Sequence, residues 1–245
     1  MARCYLCHNE RQLRNSHIIP EFLYEKLYNS KGHMMAINGI GNRGYKPLQN
    51  GEKEYLFCDD CERLFNDWYE KPFLMQWARA NPLPNPWSDL EAIHWIQSDY
   101  KVLKMFHLSV LFRASVSSLP TFSEVSLGSH EEKIRKILLD NVCPNRFEYP
   151  IFGHAVVHHE SLELIHVVTK PIQSKLDGHR CFAFIYGGVR WWISVSSHRN
   201  LKFEVTGLRE DGRMPFHATS WNQLEIFQEA SAALRGHGNL RKDPL

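Results

Sequence analysis

Cys4-Tyr5-Leu6-Cys7 stands near the start of the chain, and Cys58-Asp59-Asp60-Cys61 repeats its spacing well downstream. A turn of this kind presents two thiolates to one side of a tetrahedron, and two such turns complete the four-coordinate shell that structural zinc prefers. The expected cofactor is therefore Zn²⁺ held by Cys4, Cys7, Cys58 and Cys61. A closed four-thiolate shell has no open position for substrate, so the ion's role is structural and any chemistry belongs to neighbouring residues. A redox reading would need a strand–helix–strand context around one pair, which neither pair shows. His8 adjoins Cys7 but is not needed once four thiolates are present. Cys143 and Cys181 stand alone and read as small buried hydrophobes.

Between the two pairs lies Ser16-His17-Ile18-Ile19-Pro20, and Leu56-Phe57-Cys58 leads through Cys61-Glu62 into a predicted helix. These segments together resemble the HNH endonucleases of the zinc-knuckle, ββα-metal type. The resemblance covers the stretch from Met1 to about Met75, less than a third of the chain. It implies that His17 is the general base for a water attacking a phosphodiester, a task suited to an imidazole because its ordinary pKa lies near working pH. It also implies that the helix after the second pair supplies ligands to a catalytic divalent ion. Glu62 and Asn66 sit at i,i+4 on that helix, with Glu70 one turn further. Their hard oxygens match Mg²⁺ or Mn²⁺ better than a second zinc, and the ion would stabilise charge on the phosphate and leaving oxygen.

Two positions depart from the family pattern. Ser16 stands where many members carry an acidic metal ligand, and Glu62 stands where Asn or His is usual. Either Glu62 compensates for the missing carboxylate, or the site binds without cutting. The resemblance implies a nucleic-acid partner, DNA in the first instance, and a setting in bacterial defence or mobile elements. The alternatives are an inactive zinc module that binds nucleic acid or protein, and a regulatory subunit that docks a protein partner through its C-terminal β-rich region. Without the flanking cysteine pairs, His17 would read as a buried histidine at the turn before Pro20.

Composition narrows the field less sharply. Net charge is only +2, so nucleic-acid binding has to be local rather than a property of the whole surface. Basic residues outnumber acidic ones eight to four over 170–213, against eleven to ten over 1–80. No apolar run approaches the roughly 20 residues that span a bilayer, and the N-terminus lacks a secretory pattern, so a cytoplasmic protein with no membrane partner is expected.

The elements that must position these residues point to an α+β fold with four parts. Residues 1–80 form the small zinc-stapled module, with a short helix from Pro20 to Tyr28 and a glycine-rich loop at 38–44. Pro82, Pro84 and Pro86 break any regular element and mark a boundary. Residues 88–142 are helical: Ser88 and Glu91 suggest a capping box, and apolar residues from Ile93 to Leu111 recur at helical spacing up to Ser117. A second helix spans Gly128 to Asn141.

Residues 143–235 form an antiparallel β-rich region: from Tyr149 the period changes to two, predicting strands at 151–158, 162–169, 181–186 and 189–196, then a last helix from Trp221 to Arg235. Gly187-Gly188 is a hairpin turn signal. Residues 236–245 read as a flexible tail. Within the sheet, His154, His158, His159 and His166 raise the question of a second metal site. Trp191 and Trp192 must face opposite sides, one to the core and the other, with Arg190, toward a candidate binding surface. Arg113, late in the long helix, suits either a buried acid or a phosphate.

Overall fold

The computed structural model describes residues 1–36, 46–225 and 227–228. The predicted loop at 38–44, most of the last predicted helix and the tail at 236–245 lie outside them. β1 (Ala2–Arg3) and β2 (Glu10–Arg11) pair around the first cysteine turn. β3 (Leu13–His17) follows, then two 3₁₀ turns, Glu21–Leu23 and Glu25–Leu27, in place of the predicted helix. β4 (Met34–Ala36) pairs with β5 (Lys46–Leu48), and β6 (Lys53–Cys58) returns antiparallel to β3. That register sets His17 opposite Lys53 and Ser16 opposite Glu54.

α1 (Asp59–Phe65) starts directly from Cys58 and continues through a π turn at Asn66–Glu70, a helical turn at Lys71–Phe73 and a second π turn at Leu74–Ala78. Its buried side is Cys61, Phe65, Tyr69, Phe73 and Trp77, spaced by four. A pure 3.6-residue turn would carry that row around the helix, and the wider π turns keep it on one side. Residues 81–92 form no helix or strand, in line with the prolines there.

β7 (Ile93–Gln97) comes next, then α2 (Tyr100–Val116), then α3 (Ser129–Asp140). α2 is the centre of the molecule, with every residue from Leu103 to Ala114 buried. A helix buried all round needs partners for its polar residues. Lys104 donates from Nζ to the carbonyls of Glu148 and Tyr149, and His107 Nδ1 meets the Tyr186 hydroxyl at 2.6 Å. The remaining elements are β8 (Ile151–Val157), β9 (Ile172–Leu176), β10 (His179–Tyr186), β11 (Val189–Ser194), α4 (Leu201–Thr206) and β12 (Arg213–Ser220).

The architecture is mixed α+β, with a six-stranded sheet in the order β7-β12-β8-β11-β10-β9. One sheet face packs on α1 and α2: the Trp191 ring lies 4.7 Å from Trp77 and 4.0 Å from His107. Buried contacts run from Cys4 through the helices to Phe216 as one cluster.

Several sequence expectations need correction. The stretch from Ser88 is not the start of a helix: Asp89 caps a turn by accepting from the N–H groups of Glu91 and Ala92, and β7 follows. The long helix begins eleven residues later, with Asp99 as its cap accepting from Val102 N–H at 3.0 Å. Ile93 and Ile96 fit a helical period, but only Ile96 is buried, and both belong to a strand paired with β12. Residues 162–169 make a single bridge, Leu164 to Val157, and the outer strand is Ile172–Leu176 instead.

The sheet is not purely antiparallel. β12, missed because Pro215 interrupts its pattern, inserts beside β8 in parallel. The hairpin at Gly187-Gly188 forms as expected, both glycines at positive φ. Trp221–Gln223 is a 3₁₀ turn.

Candidate metal centre and active site

The four cysteines converge because β6 delivers Cys58 to the first turn of α1 while the opening turn folds against it. Tyr5 N–H donates to Leu56 O at 3.1 Å, and Cys58 N–H points at Cys4 Sγ at 3.4 Å. His8 takes a left-handed conformation that closes the opening turn, its N–H returning to Cys4 O at 2.9 Å. All four Sγ atoms lie within 4.8 Å of one another, and Cys7 and Cys58 are 3.9 Å apart. Thiolates about 2.3 Å from one zinc stand about 3.8 Å apart, so the donor set can hold an ion such as zinc.

Proton sharing points the same way. A hydrogen bond from Cys61 holds the Cys4 thiol down to about 4, and the same bond pushes Cys61 up. Four clustered sulfurs cannot all ionise without a cation among them.

Ser16 and His17 emerge from the end of β3 with different partners. Ser16 is buried, and its hydroxyl donates to Glu62 Oε1 at 2.6 Å. His17 Nε2 faces Glu21 Oε2 at 2.6 Å, and neither atom has another partner. Tyr28 donates its hydroxyl to Glu21 Oε1 through a short contact, so Tyr28, Glu21 and His17 form a chain. Glu21 comes within reach because Pro20 opens a 3₁₀ turn immediately after the strand. Burial lowers the His17 pKa, Lys53 across the ladder lowers it further, and Glu21 and Glu70 act against both. His17 is therefore neutral near pH 7, as a proton acceptor must be.

Glu62 is half-buried, and desolvation raises its pKa against the opposing pull of Arg113 and Ser16. Glu70 forms an ion pair with the buried Arg113, whose other nitrogen donates to His17 O at 3.2 Å. Of the two roles open to Arg113 in the sequence, the structure supplies the buried acid. Asn66, by contrast, is exposed, and its amide bonds only to the adjacent Asp67. The structure thus brings the His17 carbonyl, Glu62 and Glu70 to the Arg113 guanidinium, with Glu21 on the His17 ring, and Asn66 is not among them. Glu21 and Tyr28 were absent from the sequence reading. The i,i+4 step from His17 to Glu21 was the available signal.

The cysteine group is the one set of three or more His, Cys, Asp or Glu side chains that converges among the described residues. The oxygens of Glu62 and Glu70 are chemically right for a hard divalent ion, but they are not drawn together into a ligand set. Likewise His154, His158, His159 and His166 make no second metal centre. His158 Nδ1 accepts from backbone N–H groups, His159 Nδ1 accepts from Trp221, and His166 sits beside Lys26.

Trp191 and Trp192 are both buried, because Phe152 and Phe203 cover the second face of the sheet. Neither offers the exposed stacking surface expected of one of them. Cys181 is buried as expected, and Cys143 is half-buried. Among the described residues, no helix is long and apolar enough to cross a membrane. No family model, curated protein or solved structure matches this chain.

Proposed function

We propose that the N-terminal module is an HNH-like, metal-dependent endonuclease that hydrolyses phosphodiester bonds in nucleic acid, DNA in the first instance. The observation that carries this reading is the order strand, strand, helix, with His17 at the end of β3 and Glu62 on the helix that follows β6 beside the cysteine cluster. Structural zinc held by Cys4, Cys7, Cys58 and Cys61 would fix that arrangement.

In this reading His17 takes a proton from the attacking water. Glu21 holds Nε2–H, leaving Nδ1 as the accepting nitrogen. Arg113 anchors the backbone at His17 and pairs with Glu70 beside it. Mg²⁺ or Mn²⁺, when bound, supplies charge neutralisation at the phosphate; Glu62 and Glu70 are the oxygen donors this chain offers.

Plasmid and single-stranded DNA incubated with the full chain and Mg²⁺ or Mn²⁺ test the proposal. Cleavage should require the divalent ion and fall at least 100-fold in His17→Ala at unchanged zinc content. Undiminished cleavage in that variant would remove His17 as the base.

A second reading is a module that binds nucleic acid without cutting it. It is favoured by the ties already made to both carboxylates, Ser16 to Glu62 and Arg113 to Glu70. Its signature is DNA binding that survives His17→Ala in a protein with no cleavage under any divalent ion.

A further inference from the structure

Strand alternation places four side chains on one face of the β3–β6 ribbon. His17 lies directly opposite Lys53, and Asn15 lies directly opposite Tyr55; residues two apart on a strand share a face. The other face is already committed to the fold: Ser16 donates to Glu62, and Glu54 accepts from the hydroxyls of Ser117 and Ser118. That side packs toward α1 and the end of α2, so the side with His17 is the outer one.

The three neighbours of His17 on this face are unengaged. Tyr55 is 65% exposed, and among the described residues its ring meets no other ring and its hydroxyl no partner. Asn15 is exposed across from it, with its amide equally free. Lys53 has no carboxylate partner among the described residues, yet it stands near enough to His17 to lower the pKa of that ring. A single exposed aromatic residue is ordinary. What sets this one apart is its company: a free ring, a free amide and a free ammonium share the ribbon face of His17.

These groups match a nucleic-acid strand whose bases are unpaired. The ring can stack on a base, the ammonium can meet a phosphate, and the amide offers both a donor and an acceptor to a base edge. Within a duplex the faces of each base are covered by its neighbours, and the ring would find nothing to stack on. The net charge of +2 points the same way, because tracking a duplex depends on many phosphate contacts, whereas stacking does not. On a ribbon of this kind the diagonal from Tyr55 to His17 spans about 7–8 Å. A base on Tyr55 therefore belongs to a nucleotide adjoining the phosphate at His17.

We propose that the outer face of the β3–β6 ribbon binds an unpaired nucleic-acid strand, with one base stacked on Tyr55 and the adjoining phosphate at Lys53. This rests on the reading of His17 as standing at a nucleic-acid site, and it names the substrate class of that site as single-stranded.

Fluorescence anisotropy of the full chain with a labelled single-stranded DNA dodecamer, and separately with the blunt duplex of the same sequence, tests it without added divalent ion. The single strand should bind at least tenfold tighter than the duplex. Tyr55→Ala should weaken that binding at least fivefold at an unchanged melting temperature, while Tyr55→Phe, which keeps the ring, should bind as wild type does. Lys53→Gln should give an independent loss, with a shallower dependence on salt. The proposal is overturned if neither probe binds, if the duplex binds as tightly as the single strand, if folded Tyr55→Ala binds like wild type, or if Tyr55→Phe loses as much as Tyr55→Ala. Because binding is read without cleavage, the nuclease reading fails separately: strand binding that depends on Tyr55 in a chain that never cuts removes the nuclease alone, and duplex cleavage indifferent to Tyr55 removes this inference alone.

Discussion

The Ser16 hydroxyl donates to Glu62 Oε1 at 2.6 Å, tying the end of β3 to the first turns of α1 at the residue just before His17. In many proteins of the family that this segment resembles, that position holds an acid; here the acid is on the helix and the serine serves it. Ser16→Ala should cost about 1.5–3 kcal/mol, because Glu62 would lose its donor in a half-buried setting. Urea unfolding of the two proteins measures the difference, and an unchanged midpoint would show that the bond contributes nothing.

Glu21 orients His17 and also holds a proton from Tyr28. Removing its charge removes one of the influences that raise the His17 pKa. In Glu21→Gln the imidazole should therefore titrate at lower pH than in wild type, as followed by NMR. If the chain cuts DNA, the rise of activity with pH should move down by the same amount, and maximal rate should drop because the ring is less well held.

Arg113 connects the module to the central helix. It pairs with Glu70, donates to His17 O and lies over the Phe65 ring at 4.4 Å. Arg113→Met leaves an acid and a carbonyl unpartnered and should destabilise by about 3–5 kcal/mol. The double variant Arg113→Met with Glu70→Met should recover much of that loss. Thermal melts of the three proteins read both effects, and a double variant no better than the single would show that the ion pair is not what matters.

The cysteine cluster should hold one zinc per chain, measurable by elemental analysis of protein purified without added metal. Cys58→Ser removes a buried ligand at the start of α1 and should abolish stoichiometric zinc. A strong chelator should lower the melting temperature of wild type, because metal binding and folding of such a site are linked. A wild-type chain with no bound metal and an unchanged melt in chelator would show that the cluster is only a group of packed thiols.

Two histidines make stability fall with acid. Burial holds His166 and His154 at about 4, helped by Lys26 for the first and by His217 and Arg190 for the second. Both are neutral in the folded protein, while the unfolded chain takes up protons near pH 6.5. Their stabilisation is complete above that value and is lost as pH falls toward 4. Between pH 7 and 5 each should account for about 1 kcal/mol, allowing for partial exposure. His166→Gln should show a correspondingly shallower decline, and an equal decline in both proteins would contradict this origin.

Residue type and local spacing made some of this legible in one dimension. The two CxxC turns announce four convergent thiols because each is a local structure with one geometry. Gly187-Gly188 announces the β10–β11 hairpin because both positions require positive φ. The run of apolar residues after Asp99 announces a buried helix, though its start was misread because Ile93 and Ile96 satisfy strand and helix alike.

What the sequence alone could not decide was partnership at a distance. Glu62 meets Ser16, and Glu70 meets Arg113, only because β3, α1 and α2 pack together. Asn66 has the right spacing from Glu62, one α turn on, but its side chain is exposed and bonds to Asp67. The insertion of β12 beside β8, which lines up Arg190, His154 and His217, depends on sheet order. Sheet order follows from how whole strands bury their faces, and no local pattern encodes it.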